Sequence, residues 1–415
     1  MSLQELPMVF VLLGLVFYVV LGGADFGAAM WQFAVGRTER GERIREHAHE
    51  AVGPVWEANH VWLIFVLTVT WTAYPAAFGS LASTLSVALF VAGLGIIVRG
   101  AAYALRSGTT DPREIGRIDA ASAISSVLTP FALGAAVGGL ATGRVPFGNA
   151  KGDLITSWLN PTSIFIGALA VAFCAYLAAV YLAADAARRG DADLVRDFRA
   201  RALGAGAVSG VLSIAGLVVL HHDAYRLYHE LVAGDGLPAV IVSVLAGLAT
   251  FGLVVRERFE PARYTAGLAV AAIVAGWALA QSPVFLPGLT VKQAAAPHDV
   301  LVAITVAVLG GAVILFPSLV LLFRLTLGGR LGHAEEQPAA TPAAARQLVL
   351  AAAPGLLGRV AAACALAGIG FLTVAEAGWA HAVGVVALFG FIVAGFAGTV
   401  PALLEGEAGA YSSRR

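Results

Sequence analysis

PMVFVLLGLVFYVVLGGADFGAAMW, residues 7–31, decides the fold class. It is a 25-residue apolar run interrupted by one charge, Asp25. A bilayer core of roughly 30 Å needs about 20 apolar residues per helix, so this run predicts a membrane span. It is not read as a cleavable signal peptide. It lacks a basic leader, runs too long and carries an acid. The rest of the chain repeats the pattern. Spans are predicted at 7–31, 53–76, 79–105, 119–142, 161–185, 202–220, 238–256, 264–282, 300–324, 355–375 and 380–403. All are expected to be helices, because the runs are too long and continuous for barrel strands. The fold class is therefore all-α: a polytopic membrane protein of about eleven transmembrane helices. Across 415 residues, 59% are hydrophobic and only 13% charged, against about a quarter in a soluble domain. That excludes a soluble globular protein and a disordered one. A net charge of zero leaves no basic footprint for nucleic acid.

Orientation follows from the arginines. With the N-terminus outside, 21 of the 26 basic residues fall in inside segments. Arg144, Lys151, Arg226 and Lys292 fall outside, and Arg99 lies within a span. The expected topology has the N-terminus outside and the C-terminus cytoplasmic. One long polar stretch, with HAEEQPAATPAAARQ inside it, separates the last two spans from the others. The domains are accordingly read as a nine-helix body over 1–328, a cytoplasmic linker over 329–354 and a two-helix extension over 355–415.

Charge inside a membrane is costly, on the order of 2.5–3.5 kcal/mol at a helix centre, and marks candidate function. Asp25 lies in span 1, Glu57 near the start of span 2 and Arg99 near the end of span 3. The alternating directions of these spans put all three at similar depth, in the cytoplasmic half. Two readings are open. Arg99 neutralises one carboxylate in a structural ion pair, or the acids hold and release protons entering from the cytoplasm. His60, three residues after Glu57, shares its helix face and is either a relay or a satisfied core histidine. Gly22, Gly23 and Gly27 around Asp25 read as close helix packing, and Trp71 reads as an interface residue.

The remaining chemistry is sparse. Only His60 lies clearly in a span, and Met8 and Met30 sit at opposite ends of span 1. This chain is not expected to supply axial ligands for several haems. HHD at 221–223 reads as solvated loop rather than a metal site. Cys174 and Cys364 lie in apolar stretches, which argues against a disulfide framework or a thiolate metal site. In WALAQSPVFLPGLTVKQAAAPHDVL, 277–301, Pro283 and Pro287 end a helix, and Thr290 to Ala296 is expected to form a short helix on the outer surface.

GGADFGAAMW (22–31), GPVWEANHVWLIFVLTVTWTAYPAAF (53–78), VRGAAYALR (98–106) and WALAQSPVFLPGLTVKQAAAP (277–297) resemble the signature segments of subunit II of bd-type quinol oxidases. They occur in the family's order and cover the helical body. The resemblance implies a subunit of a quinol:oxygen oxidoreductase in the bacterial cell (inner) membrane, using quinol and oxygen as substrates of the complex. It implies pairing with a haem-bearing subunit I that carries two haem b and one haem d. No haem is expected on this chain. Some relatives also hold a structural quinone in this subunit, which the resemblance adds as a candidate ligand without placing its residues. Asp25 matches the family's first-helix aspartate on the proton path, and Glu57 stands where many members have Asp. Arg99 and His60 are charge partners or further steps of that path. The two-helix tail departs from the family, and a small accessory subunit is a candidate partner for it. From composition alone a proton-coupled secondary transporter competes, although no pair of interrupted helices in matching halves supports it. A purely structural assembly subunit is the third reading.

Overall fold

A computed structural model describes residues 2–35, 38–52, 56–106, 109, 111–327, 356–374, 379–380 and 382–394. The expected linker over 329–354, the Glu57 side chain and Glu376 lie outside the described residues. The chain divides into two compact units, Met1–Leu321 and Leu322–Arg415. Among the described residues eight helices are long and apolar enough to cross a membrane. Three further apolar helices, Asn59–Ala73, Leu356–Gly368 and Ala382–Ala394, are shorter.

In the first unit the first span is not a uniform α-helix. It comprises α1 (Leu6–Phe17), a π-helical segment Tyr18–Gly22 and α2 (Gly23–Phe33). A π segment carries an extra residue per turn, so the side chains after it are rotated by about 100° relative to those before. Next come α3 (Glu39–Val52), α4 (Trp56–Ala73), α5 (Pro75–Thr84) and α6 (Ser86–Arg106). The predicted spans 53–76 and 79–105 are thus divided differently. Tyr74 precedes Pro75 and is forced out of the helical region, to φ −137° and ψ 57°, which stops α4. A second break at Leu85 separates α5 from α6, so the stretch read as one helix is two.

The unit continues with α7 (Pro112–Ala141), α8 (Pro161–Arg189), α9 (Ala192–Asp223), α10 (Tyr225–Ala233), α11 (Leu237–Val255) and α12 (Phe259–Gln281). Asp111 caps α7, Asn160 caps α8 and Asp191 caps α9, each accepting from a backbone N–H of the first turn. Helix α8 is central, packing against α2, α7, α9 and α12. Its run from Tyr176 to Val180 is buried on every side, as a helix surrounded by helices must be. Lipid tails are as apolar as leucine, so close van der Waals contact rather than water exclusion holds such helices together. Gly27 shows how close. A Cβ there would lie 1.9 Å from the Cys174 carbonyl oxygen. Gly23 and Gly27 are therefore packing residues between α2 and α8, while Gly22 lies under the Tyr18 ring of its own span.

A small hairpin and a short helix close one end. Strands β1 (Val284–Leu286) and β2 (Leu289–Thr290) pair antiparallel, with Gly288 at φ 77° in the turn. The expected helix over 290–296 is α13 (Val291–Ala294), fixed by a Thr290–Gln293 capping box. Phe285, Leu286, Leu289 and Ala294 pack on Tyr74, Leu85 and Trp158. The Tyr74 hydroxyl donates to the Gln4 carbonyl at 2.8 Å, Ala296 N–H donates to the Ala73 carbonyl at 2.8 Å, and Lys292 pairs with Glu5 at 3.4 Å. Helix α14 (His298–Leu327) follows.

In the second unit the helix Leu356–Val374 packs on Ala382–Ala394, with Gly368 against Leu388 and Gly390 against Cys364.

Candidate functional site

Asp25 opens the first turn of α2 and is 3% exposed. An acid so placed needs a counter-charge. Arg99 on α6, 6% exposed, supplies it. Its Nη2 pairs with Asp25 Oδ1 and also donates to the Asp25 carbonyl at 3.1 Å, while Nη1 donates to Ser126 Oγ on α7 at 2.8 Å. The guanidinium stands 4.8 Å from the centroid of Phe26, where the ring face adds attraction. Three helices thus meet at one buried ion pair. The pair does not use up the acid, since Asp25 Oδ2 is buried with no hydrogen-bond partner.

His60 is half-buried one turn into α4, edge-on to Tyr18 at 6.2 Å and to Phe26 at 6.0 Å. Asn59 beside it donates to the Leu21 carbonyl of the π segment at 3.4 Å. The structure therefore gathers Asp25, Arg99 and His60 on adjoining helices. Glu57 lies in the first turn of α4, and its side chain is outside the described residues.

A cleft of about 40 Å³ at the arginine-rich end of the bundle reaches Arg99 of this pair. Its wall includes Gln32, His49, Arg99, Tyr103, Arg106, Asp119 and Ser122. That volume admits roughly two or three waters. Sequence reasoning missed the cleft because one wall comes from α3, a surface helix. Arg40 Nε donates to Asp197 at 2.8 Å, Arg43 to Asp191 at 2.6 Å, and Arg189 pairs with Glu50. Ile44 and Ala48 of α3 are buried against α8 and α9 residues. His47 donates from Nε2 to the Leu182 carbonyl at 3.1 Å, and burial pushes its imidazole pKa below the ordinary value. With α3 fixed, His49 stacks near Tyr103, ring centres 5.8 Å apart, on the cleft wall.

The HHD triplet needs a correction. It is the last turn of α9, not a loop. Asp223 accepts both Arg144 guanidinium nitrogens, at 3.0 and 2.7 Å, and the Thr162 hydroxyl at 2.5 Å. It ties three helix ends together, while His221 and His222 are exposed. Among the described residues no group of three or more His, Cys, Asp or Glu is placed to hold a metal ion. His47 is buried and spends Nε2 on a carbonyl, while His49 lies on the cleft wall.

Comparison with known proteins gives the family and the fold. The family model described as cytochrome bd terminal oxidase subunit II matches residues 3–326. The chain is 27% identical over 133 residues to cytochrome bd ubiquinol oxidase subunit 2 of Bacillus subtilis, covering 32% of this chain and 38% of that protein. It is 27% identical over 175 residues to cytochrome bd-I ubiquinol oxidase subunit 2 of Escherichia coli K12, covering 40% and 45%. It thus spans less than half the length of these two relatives. A putative cytochrome bd menaquinol oxidase subunit II of Bacillus subtilis matches at 24% over 265 residues, 60% of this chain and 72% of that one. In fold, the chain is similar to the bd oxidase structure from Geobacillus thermodenitrificans. The TM-score is 0.65 at 24% identity, covering 79% of this chain and 99% of that one.

Proposed function

Because the chain belongs to the cytochrome bd terminal oxidase subunit II family, a family of multi-pass proteins of the bacterial inner membrane, we propose that it serves as the proton-supplying subunit of a quinol:oxygen oxidoreductase. Its partner is a haem-bearing subunit I, with quinol and oxygen as substrates of the complex. The two haem b and one haem d belong to that partner, where they supply the redox chemistry. Family membership favours this over a secondary transporter, and a buried carboxylate with an unspent oxygen, paired to an arginine that lines a cleft, favours it over an inert scaffold.

One observation carries the reading. The cleft reaches Arg99, which pairs with one oxygen of the buried Asp25 carboxylate and leaves the other unspent. The arginine bias places its mouth on the cytoplasmic side. Water in the cleft brings a proton to Asp25, and Arg99 holds the carboxylate in place between transfers. Ser126 fixes Arg99 from behind, so the guanidinium stays while the proton moves. Glu57 enters α4 near this depth and is the second carboxyl of the path.

The test is oxygen consumption by the complex purified through this chain. Asp25→Asn and Glu57→Gln keep size and polarity but remove the exchangeable proton. Each should slow turnover about tenfold or more at normal haem content, and the double variant should be little slower than the worse single one. Full activity in both correctly assembled single variants would leave Asp25 and Arg99 a structural pair.

A further inference from the structure

Beyond Asp25, a second polar atom in the same interior is stranded. Tyr18 is 5% exposed, and its Oη is buried with no hydrogen-bond partner. Its ring lies back over Gly22, where a Cβ would approach Cδ2 and Cε2 to 3.3 Å. The ring therefore points along the helix toward the level of Asp25. It stands edge-on to Phe26 at 6.4 Å and to His60 at 6.2 Å, and it lies within electrostatic reach of Asp25 and Arg99. Phenylalanine would fill this place without stranding a hydroxyl, so the hydroxyl needs a reason. Asp25 Oδ2 and Tyr18 Oη are two orphaned oxygens within electrostatic reach of each other, and a water between them would give each a partner.

We propose that Tyr18 is a proton-relay residue, joined to Asp25 by a bound water and carrying protons onward from the cleft into the bundle. The inference rests on the proton-uptake reading of Asp25. A phenol oxygen both donates and accepts, so it passes a proton without ionising. The protonated Asp25 carboxyl gives its proton to the water. That water gives one of its own to a Tyr18 Oη lone pair, and the original phenol proton leaves on the far side. One O–H bond forms as one breaks at each oxygen, and no oxidant is consumed. His60, beside the ring on α4, is the described titratable group placed to receive it. Along the span Tyr18 is seven residues from Asp25, on the side away from the arginine-rich loops, so the step leads inward.

Tyr18→Phe in the assembled complex keeps the ring and removes only the hydroxyl. Oxygen consumption per haem should fall about tenfold, with a larger slowing in heavy water than wild type shows. Tyr18→His, which restores a group that donates and accepts, should recover a measurable part of the rate. Wild-type turnover and isotope effect in Tyr18→Phe would overturn the proposal. Asp25→Asn, measured alongside, separates the two failures. If Asp25→Asn is slow and Tyr18→Phe fast, only the relay falls. If Asp25→Asn is itself fast, the uptake reading falls with it. Rates are taken per haem, so a partly assembled preparation still decides between them.

Discussion

Replacing Arg99 by Met, in a cycle with Asp25→Asn, measures how strongly the two buried charges depend on each other. Arg99→Met removes the guanidinium bonds to Asp25 Oδ1, the Asp25 carbonyl and Ser126. It leaves a carboxylate at 3% exposure without its counter-charge. Breaking a buried pair from one side costs about 3–5 kcal/mol. Asp25→Asn is milder, because Arg99 keeps the backbone carbonyl and Ser126. Its cost is about 1.5–3 kcal/mol, that of a hydrogen bond to a charged group. The double variant buries neither charge. It should cost no more than Arg99→Met alone, giving a coupling at least as large as the Asp25→Asn cost, about 1.5–3 kcal/mol. The assay is unfolding of the complex in rising proportions of denaturing detergent, followed by fluorescence of the chain's seven tryptophans. Additivity within about 0.5 kcal/mol would refute the reasoning. It would mean that water from the cleft already screens the two groups from each other.

Gly27→Ala places a methyl 1.9 Å from the Cys174 carbonyl oxygen, against an ordinary 3.4 Å. Helices α2 and α8 must separate, and the same unfolding assay should show a loss of about 1–3 kcal/mol; Gly247→Ala, with nothing within 4 Å, is the control and should lose nothing. Acid should loosen α3. Burial lowers the His47 pKa below 6.5, so the unfolded state binds more protons between the two values, and stability is present above about pH 6.5 and lost as pH falls below it. Protection factors for amide exchange across residues 39–52, corrected for the intrinsic rate at each pH, should fall at pH 5 relative to pH 7.5, and His47→Gln should flatten that dependence; an equal pH response in His47→Gln would rule out His47 as its source.

The membrane fold was legible because lipid leaves few ways to satisfy a backbone, and the apolar runs met that constraint openly. The encounter of Asp25 with Arg99 was legible for the same reason, since charges on successive spans at one depth have few partners. Glu57 was named by the same logic. Tyr18 was not, because an aromatic in an apolar run looks like any other filler until its hydroxyl is seen to be stranded. The break before Pro75 was legible in principle, since proline constrains the residue before it. The cleft was not, because α3 is polar and its docking depends on ion pairs with residues more than a hundred positions away. The Arg144–Asp223 pair spans 79 residues and ties a loop to the end of α9, two segments that the charge pattern had put on one side. Opposite charges on same-side loops were the available signal.

The cap also imposes an order of assembly. Gln4 and Glu5, at the head of the first span, are held by Tyr74 and by Lys292, and the strand-and-helix element that completes the closure begins at Val284. At roughly 5–20 residues per second, synthesis takes about 15–60 s to travel from one to the other. For that interval the N-terminal end of the first helix lacks its Lys292 partner. The arginines of the first loop, made within seconds of it, are what bias its orientation meanwhile. The N-terminal end locks last, as a clasp, once the chain has returned to where it started.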